Sequence, residues 1–216
     1  MITLFIDSSR KSLSVALASQ NKLLFVSNVN SYSKHSNFLM NEITNVLKKT
    51  ELTILDVDNI IVLNGPGSFT GIRVGVTIAK TLAWALNKKL YVLSNLKALS
   101  LGANEDVVIS VIPDKDDYSY VGIYENDNVK EDYFYIKDDA FNITNKKIII
   151  RTMDENNFAN ALKSKLSINN NVSLQIVNDY DYLNLISYAL SLKDINSHLA
   201  KPIYLKKIDA EKIGNK

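Results

Sequence analysis

The sequence predicts an α/β protein built from mixed sheets covered by helices. Short apolar runs of strand length alternate with longer stretches in which apolar residues recur at helical spacing. The predicted order of elements in the first half is also repeated, loosely, in the second half. Alternating strands and helices are typical of mixed sheets whose faces are covered by helices.

The first half of the chain has the predicted element order βββαβαβα. It opens with three strands, and the turn-prone pair Gln20-Asn21 between the second and third favours an antiparallel meander. The strands are Ile2 to Ile6, Leu13 to Leu17 and Leu23 to Val26. A helix from Asn37 to Lys49 follows, because its apolar residues recur at helical spacing and its last turn is basic.

Two further strands and two helices complete the first half. The run Ile60 to Leu63 is predicted as a buried strand that ends in a glycine-rich loop. The pattern is helical from Gly71 to Leu86, and Leu90 to Leu93 forms the next strand. Ser94 then caps a short helix that ends near Leu101.

The second half follows a polar break at Gly102 to Asp106. Its predicted strands are Val107 to Ile112, Tyr118 to Tyr124, Val129 to Ile136, Ile148 to Ile150 and Val172 to Val177, and its helices lie near Glu155 to Leu166 and Tyr182 to Leu192. A duplicated βββαβα unit is the layout of actin-like and sugar-kinase-like folds. We therefore expect two lobes, residues 1–102 and 103–216, with a disordered tail from about residue 209.

The composition limits the classes of protein to which the chain can belong. With 46% apolar and 22% charged residues among 216, it is typical of a soluble globular protein. No apolar run approaches the roughly 18 residues needed to cross a bilayer, and no secretory signal is recognisable, so a cytoplasmic location without membrane contact is expected. The formal charge of +2 argues against independent binding of nucleic acid. Any role with RNA is therefore expected to need a partner.

Glycines are concentrated in the loop after the fourth strand and at the start of the next helix. Gly65, Gly67, Gly71 and Gly75 are four of the seven glycines in the chain. One interpretation is a tight turn with close helix packing, which glycine permits because it has no Cβ. The other is anion binding by backbone N–H groups at the helix start. The loop has neither the ending of a Walker loop nor dinucleotide-motif spacing, so both interpretations stay open.

The full amino-acid sequence of this loop is a more specific signal than the spacing of its glycines. It reads Gly65-Pro66-Gly67-Ser68-Phe69-Thr70-Gly71-Ile72-Arg73-Val74-Gly75. The string resembles the signature of the TsaB (YeaZ) family. The resemblance extends to further positions, mostly in the first half, namely Ile6-Asp7-Ser8-Ser9, His35-Ser36, Lys80, Leu82, Ala83, Ser94, Leu96, Ala98 and Leu99, and thinly to Pro202-Ile203-Tyr204-Leu205-Lys206.

The resemblance implies both a fold and a role. TsaB proteins have the actin-like ATPase (ASKHA) fold and act in making threonylcarbamoyladenosine beside the tRNA anticodon. The resemblance therefore implies two βββαβα-type lobes, the second degenerate, and a subunit that supports the catalytic paralogue TsaD together with the ATPase TsaE. One stretch departs from the family, because this chain has Asp114-Lys115-Asp116-Asp117 where relatives carry an Asp-Ala-Arg-Arg-like sequence. The arginine contacts of relatives are not expected here.

The second half lacks glycines that a nucleotide site of this fold needs. Such a site has one phosphate loop in each half, and Gly122 is the only glycine between Gly102 and Gly214. Losing one set of N–H donors turns a tight phosphate site into a poor one. The predicted remnant consists of Asp7 with residues 65–71, and Asp7 either holds a metal-bound water or caps the turn at Ser8-Ser9. We expect a noncatalytic chain without a cofactor, and weak nucleotide binding at a complex interface stays open.

No other catalytic or metal centre is predicted. The chain has no Cys, and His35 and His198 are its only histidines, so neither a thiolate site nor a paired-His site is expected. Ser68 lacks the Gly-x-Ser-x-Gly context of a serine nucleophile.

The helix after the glycine loop is predicted to contact a partner. Its apolar residues surround most of the helix, and Gly71, Gly75, Ala79 and Ala83 form a row along which another backbone can approach. Phe38 on the preceding helix extends this patch, and packing of the row on the chain's own sheet is the alternative. The predicted interface residues are Phe38, Met40, Ile72, Arg73, Gly75, Val76, Ala79, Lys80 and Ala83. If they face a partner, Gly75→Leu or Ala79→Arg abolishes the heterodimer and leaves a folded monomer.

The sequence thus favours a noncatalytic activator of the complex that makes threonylcarbamoyladenosine on tRNA. Its expected partners are a TsaD-type catalytic subunit, a TsaE-type ATPase and, through the complex, tRNA, with a homodimer as a second assembly. One rival is a small-molecule kinase or ATPase that uses Asp7 and the glycine loop, which ATP binding by the purified chain would favour. The other rival is a self-associating structural module, which unchanged modified nucleoside after gene deletion would favour.

Overall fold

The computed structural model describes residues 1–20, 22–30, 35–115, 118–125, 128–136 and 143–205. Contacts divide the chain into two compact units. The first contains Met1–Leu101 and Tyr180–Ile203, and the second contains Gly102–Asp179 and resumes at Tyr204. Residues 180–203, which the sequence prediction assigned to the second lobe, therefore pack with the first unit.

The first unit is built on a mixed five-stranded sheet with the order β3-β2-β1-β4-β5. Its strands are β1 (Ile2–Asp7), β2 (Ser12–Ser19), β3 (Lys22–Asn30), β4 (Val57–Leu63) and β5 (Lys89–Leu93). β2 is antiparallel to both β1 and β3, whereas β4 runs parallel to both β1 and β5. Parallel neighbours need a crossover connection, and helix α2 (Phe69–Ala85) provides the one from β4 to β5.

The core of the first unit lies between the sheet and its helices. β1 is buried from Thr3 to Asp7, as expected for a central strand covered on both faces. Helix α1 (His35–Lys49) connects β3 to β4 and contributes Leu39 and Ile43 to the same apolar cluster that receives α2. Helix α3 (Asn95–Ser100) follows β5, and all of its residues are buried.

The second unit repeats this strand arrangement. Its sheet has the order β8-β7-β6-β9-β10, with β6, β7 and β8 antiparallel and with β9 parallel to both β6 and β10. The strands are β6 (Val107–Pro113), β7 (Ser119–Glu125), β8 (Asn128–Ile136), β9 (Lys147–Thr152) and β10 (Asn171–Ile176). Helix α4 (Asn157–Leu166) connects β9 to β10. Of the connection from β8 to β9 only residues 143–146 are described, and they are not helical. The predicted α/β class with a duplicated strand order is therefore confirmed.

Helix α5 (Tyr182–Ser191) returns to the first unit. The Tyr182 ring packs edge-on against Phe5, with 5.5 Å between ring centroids, and its hydroxyl donates to Asn28 Oδ1 at 3.2 Å. Beyond the helix, the Ile195 N–H donates to the Leu90 carbonyl on the edge of β5 at 2.9 Å. These contacts join positions far apart in the sequence, so local periodicity could not predict them.

The predicted elements are present, with ends displaced by a few residues. α2 begins at Phe69 rather than Gly71, because Ser68 caps it by accepting a hydrogen bond from the Gly71 N–H at 3.3 Å. α1 begins at His35 rather than Asn37. The tail predicted to be disordered and the acidic pair Asp116-Asp117 lie outside the described residues. Within the described ranges, no helix has both the length and the hydropathy that a membrane crossing requires.

Candidate functional site

The glycine loop lies at the carboxyl end of β4, beside the carboxyl ends of β1 and β5. Asp7 is the last residue of β1, and Asn95 follows β5. The Ser68 N–H donates to the Ser9 carbonyl at 2.6 Å, and the Asn95 Nδ2 donates to Ser9 Oγ at 2.5 Å. The structure therefore brings Asp7 and residues 65–71 together, as predicted, and adds Asn95.

The glycines of this region permit close packing against the chain's own backbone. At Gly65, φ is +113°, and a Cβ would lie 2.7 Å from the Ile203 carbonyl oxygen. At Gly71, a Cβ would overlap the Ser8 carbonyl, and at Gly75 it would overlap the Ser8 hydroxyl. Only glycine, which lacks a Cβ, lets α2 approach the turn after β1 this closely.

Several backbone donors of the loop are already satisfied within the first unit. The Gly65 N–H donates to Asn95 Oδ1 at 2.9 Å, and the Gly71 N–H donates to Ser68 Oγ. The Ser68 N–H, as noted, is directed at Ser9. These donors point at protein acceptors, which favours the interpretation of the loop as a packing junction over that of an anion site.

Asp7 is fully buried and surrounded by donors. Its Oδ1 accepts from the Ser9 N–H at 2.8 Å and from the Ser9 hydroxyl at 2.6 Å, so Asp7 caps the turn after β1. Its Oδ2 accepts from Arg10 Nε at 3.1 Å and from the Tyr180 hydroxyl at 3.0 Å. The guanidinium of Arg10 also lies over the Tyr180 ring, 4.7 Å from its centroid. The chain itself thus supplies four hydrogen-bond donors to this carboxylate, and one of them is the cationic side chain of Arg10.

Sequence reasoning missed Arg10, Asn95 and Tyr180. Arg10 lies three residues from Asp7, and such spacing is a weak local signal for an ion pair. Tyr180 is separated from Asp7 by 173 residues, and nothing in its neighbourhood marks it as a partner of β1.

Burial and the nearby charge of Asp7 raise the pKa of Tyr180 well above that of a free tyrosine, against the opposing effect of Arg10. The unfolded chain releases this proton near pH 10, whereas the folded chain retains it. The raised pKa therefore stabilises the fold below about pH 10, and this stability is lost as the pH rises towards the folded value. We expect the free energy of unfolding to fall above pH 10 by up to about 1.4 kcal/mol per pH unit from this group.

Urea unfolding at pH 9 to 11.5, compared between wild type and Tyr180→Phe, measures this contribution. The variant is expected to lose less stability over this range than the wild type does. An equal loss in both proteins would contradict the assignment to Tyr180.

The small-residue row on α2 is buried in its own unit. Five residues of the predicted interface are buried, namely Ile72, Gly75, Val76, Ala79 and Ala83. All of them except Gly75 pack in the apolar core of the first unit. Of the predicted interface, these five residues offer no surface to a partner, which corrects that part of the prediction. The physical reason is that the close approach permitted by glycine is made by the turn after β1, not by another subunit.

The opposite face of α2 is exposed and partly apolar. Trp84 is 66% exposed, and Phe69 at the start of the helix is 39% exposed. The Arg73 guanidinium stacks on the Phe69 ring, 3.9 Å from its centroid, and Lys80 Nζ donates to the His198 carbonyl at 3.2 Å. On the neighbouring helix α1, Phe38 is 48% and Met40 is 42% exposed. We call Phe38, Met40, Phe69, Arg73, Lys80 and Trp84 the α1–α2 face.

An apolar groove of about 410 Å³ accompanies this face. Met40 of α1 and Leu82 of α2 are among its lining residues. The rest of the lining comes from α1 and the loop that follows it, namely Ile43, Thr44, Leu47, Lys48, Leu52, Thr53 and Ile54. The groove offers space for apolar side chains beside Met40.

No metal centre is found in the part of the chain that the structure describes. There, no three side chains of the types His, Cys, Asp and Glu lie close enough together to hold an ion.

Comparison with known proteins identifies the relatives of this chain. Residues 29–115 match the family model described as TsaD: tRNA N6-adenosine threonylcarbamoyltransferase. The chain is 35% identical over 130 residues to the tRNA threonylcarbamoyladenosine biosynthesis protein TsaB of Bacillus subtilis, covering 59% of this chain and 57% of that protein. It is 28% identical over 134 residues to TsaB of Haemophilus influenzae, covering 60% and 56% respectively.

In sequence, the chain is similar to the TsaB (YeaZ) family. The solved structure of YeaZ from Pseudomonas aeruginosa superposes with a TM-score of 0.74 at 19% identity, covering 94% of this chain and 99% of that one. This likeness shows that the chain shares the fold of that structure, in agreement with the predicted actin-like fold. In sequence, the chain spans about 57% of the length of the curated TsaB relatives that it matches.

Proposed function

We propose that this chain is a TsaB-type, noncatalytic subunit of the machinery that makes threonylcarbamoyladenosine on tRNA. It binds a TsaD-type catalytic subunit through the α1–α2 face. The observation that carries the proposal is the exposure of Trp84, Phe38 and Met40 on two neighbouring helices of one unit. The similar TsaB proteins of Bacillus subtilis and Haemophilus influenzae act in tRNA threonylcarbamoyladenosine biosynthesis, which supports this reaction.

The state of Asp7 supports a noncatalytic role. A carboxylate that accepts four hydrogen bonds, one of them from a paired guanidinium, has little capacity left to hold a metal-bound water. The glycine loop beside it directs several backbone donors at protein acceptors. We therefore assign the catalytic chemistry to the partner and no cofactor to this chain.

The chemistry of the α1–α2 face supports a protein partner. Exposed Trp, Phe and Met side chains with a nearby Arg are the residue types enriched at the centres of protein interfaces. Stacking on Phe69 holds the Arg73 side chain in one orientation, which lowers the entropy lost on binding. The groove beside Met40 accepts apolar side chains of the partner.

The proposed complex with a TsaD-type subunit also brings the chain together with tRNA and a TsaE-type ATPase. With a formal charge of +2, the chain contacts tRNA only within the complex, and a TsaE-type ATPase joins through the same complex in the cytoplasm. In the absence of the partner, the α1–α2 face pairs two copies of the chain.

Replacing Phe38 and Trp84 together by Ser tests the role and the interface. A strain that lacks this chain is expected to lose threonylcarbamoyladenosine from tRNA hydrolysates, and the wild-type gene restores it. The double variant is expected to bind the TsaD-type protein at least about 30-fold more weakly, because a central aromatic residue commonly contributes about 2 kcal/mol, and to restore little of the nucleoside.

Leu183→Ser is the matched control, since Leu183 is 43% exposed but lies on α5, away from this face. It is expected to bind and complement like the wild type. Normal binding by the double variant would contradict the interface, and an unchanged nucleoside in the deletion strain would contradict the function itself.

A further inference from the structure

The last part of the first unit passes from one face of its sheet to the other. In β1, Leu4 belongs to the apolar cluster that receives α1 and α2, so the next residue, Phe5, faces the opposite side of the sheet. Tyr182, at the start of α5, packs against Phe5 on that side. The Ile195 N–H then donates to the Leu90 carbonyl on the edge strand β5. The chain therefore reaches the edge of the sheet at this point.

Beyond this edge, a short 3-10 helix (Ser197–Leu199) packs beside α2. The His198 ring lies edge-on to the Trp84 indole, with 6.2 Å between ring centroids, and the His198 carbonyl accepts from Lys80 Nζ at 3.2 Å. Ala200, which follows the 3-10 helix, is 2% exposed and belongs to the apolar cluster on the α2 side of the sheet. These contacts hold the 3-10 helix against two residues of the α1–α2 face.

The backbone of the 3-10 helix is also fixed by hydrogen bonds of its own. The Asn196 side chain caps it by accepting from the His198 N–H at 2.9 Å, and the Leu199 N–H donates to the Asn196 carbonyl at 2.8 Å. The side chain of Leu199 is nevertheless 68% exposed. A leucine on a backbone that is already ordered loses less conformational entropy when a partner covers it than a leucine in a flexible loop.

The 3-10 helix extends the α1–α2 face at one end. The residues that α2 contributes to this face recur at helical spacing and lie along one side of the helix, namely Phe69, Arg73, Lys80 and Trp84. An α-helix rises about 22 Å between the first and the last of them. The stack of Arg73 on Phe69 lies at the start of this row, and the contact of His198 with Trp84 lies at its end. A partner that covers the whole row also reaches the residues beside Trp84.

We propose that the 3-10 helix Ser197–Leu199 is a third element of the surface that binds the TsaD-type subunit, an inference that rests on the function proposed above. Leu199 contacts the partner directly and continues the apolar surface of Trp84. His198 is a positioning residue. Trp84 is 66% exposed, so most of its surface lacks contacts that could fix its orientation, and the His198 ring is a contact that does so.

Leu199→Ser tests the direct contact, with binding of the full chain to the purified TsaD-type protein measured by calorimetry. The variant is expected to bind about fivefold more weakly or worse, because an apolar side chain is no longer removed from water at the interface. Its urea unfolding is expected to match that of the wild type. Leu192→Ser is the matched control, since Leu192 is 37% exposed but precedes the edge of the sheet at Ile195. It is expected to bind within twofold of the wild type.

Substitutions at His198 test the positioning role. His198→Ala is expected to weaken binding about threefold, the size of one aromatic contact, and His198→Phe, which keeps a ring beside Trp84, is expected to restore it. In a Trp84→Ser background, His198→Ala is expected to have no further effect, because His198 acts through the indole. Equal losses with and without Trp84, or weak binding by His198→Phe, would overturn this role.

This inference and the proposed function fail in different ways. Normal binding by Leu199→Ser, beside weak binding by the double variant of Phe38 and Trp84, would overturn the inference and leave the α1–α2 face as the interface. Equally weak binding by Leu192→Ser would also overturn it, because the loss would no longer be confined to the 3-10 helix. Absence of binding by the wild type would contradict the proposed function and this inference together.

Discussion

Gly75→Leu is expected to destabilise the first unit strongly instead of weakening contact with a partner. Gly75 is buried, and even a Cβ at this position would overlap the Ser8 hydroxyl, while Val62 on β4 lies close behind it. A leucine side chain has to displace α2 from the turn after β1. Overpacking in a dense core costs about 1–3 kcal/mol and occasionally more, so we expect a loss of about 3 kcal/mol or more for this large change.

The fluorescence of Trp84 during urea unfolding measures this loss, because it is the only tryptophan of the chain and lies in the first unit. Thr77→Leu is the matched control, since Thr77 is on the exposed face of the same helix. Its effect is expected to stay within about 0.5 kcal/mol. A stable, folded Gly75→Leu protein that fails only to bind its partner would instead restore the prediction that the small-residue row faces another subunit.

Arg10→Met is expected to be the most destabilising single change at the carboxyl end of β1. Asp7 is completely buried, and Arg10 is the one cation within ion-pair distance of it among the described residues. Removing the guanidinium leaves a buried charge without a counter-ion, which typically costs about 3–5 kcal/mol. The contact of Arg10 with the Tyr180 ring is lost as well.

A double-mutant cycle separates the charge effect from lost packing. Arg10→Met combined with Asp7→Asn is expected to be at least about 1 kcal/mol more stable than Arg10→Met alone, because the unpaired charge is then absent. Arg73→Met is the control, since Arg73 is exposed and stacks on Phe69 at the surface, and we expect it to cost less than about 1 kcal/mol. Equal losses for Arg10→Met and Arg73→Met would show that the buried ion pair contributes no net stability.

These two substitutions test different features of the contact between α2 and the turn after β1. Gly75→Leu tests how closely α2 packs on this turn, and Arg10→Met tests how the buried Asp7 carboxylate is neutralised. Both contacts involve residues of the turn 7–10. The backbone and side chains of this turn are engaged by the chain itself.

The residues that α2 exposes to a partner differ from those that the helical wheel predicted. Arg73 and Lys80 are at least partly exposed, as a partner contact requires, while Ile72 and Ala79 are in the core. Trp84 and Phe69 replace them as the large apolar side chains available for binding. The proposed interface is thus more aromatic than the sequence indicated.

The sequence by itself determined the α/β class, the repeated strand order and the unusual glycine loop. These follow from periodicity and from residue types that act locally, such as the Ser68 and Ser94 caps. The loop string was also specific enough to indicate the family.

Only the tertiary structure decided which side of α2 faces inward and where residues 180–203 lie. A helix that is apolar around most of its circumference has no periodicity that marks its buried side. The close approach of Gly71 and Gly75 to Ser8, which leaves no room for a Cβ, shows which side faces inward. The contact of Tyr180 with Asp7 joins positions 173 residues apart. Such a contact depends on how the whole chain is packed, because neighbouring residues in the sequence carry no information about it.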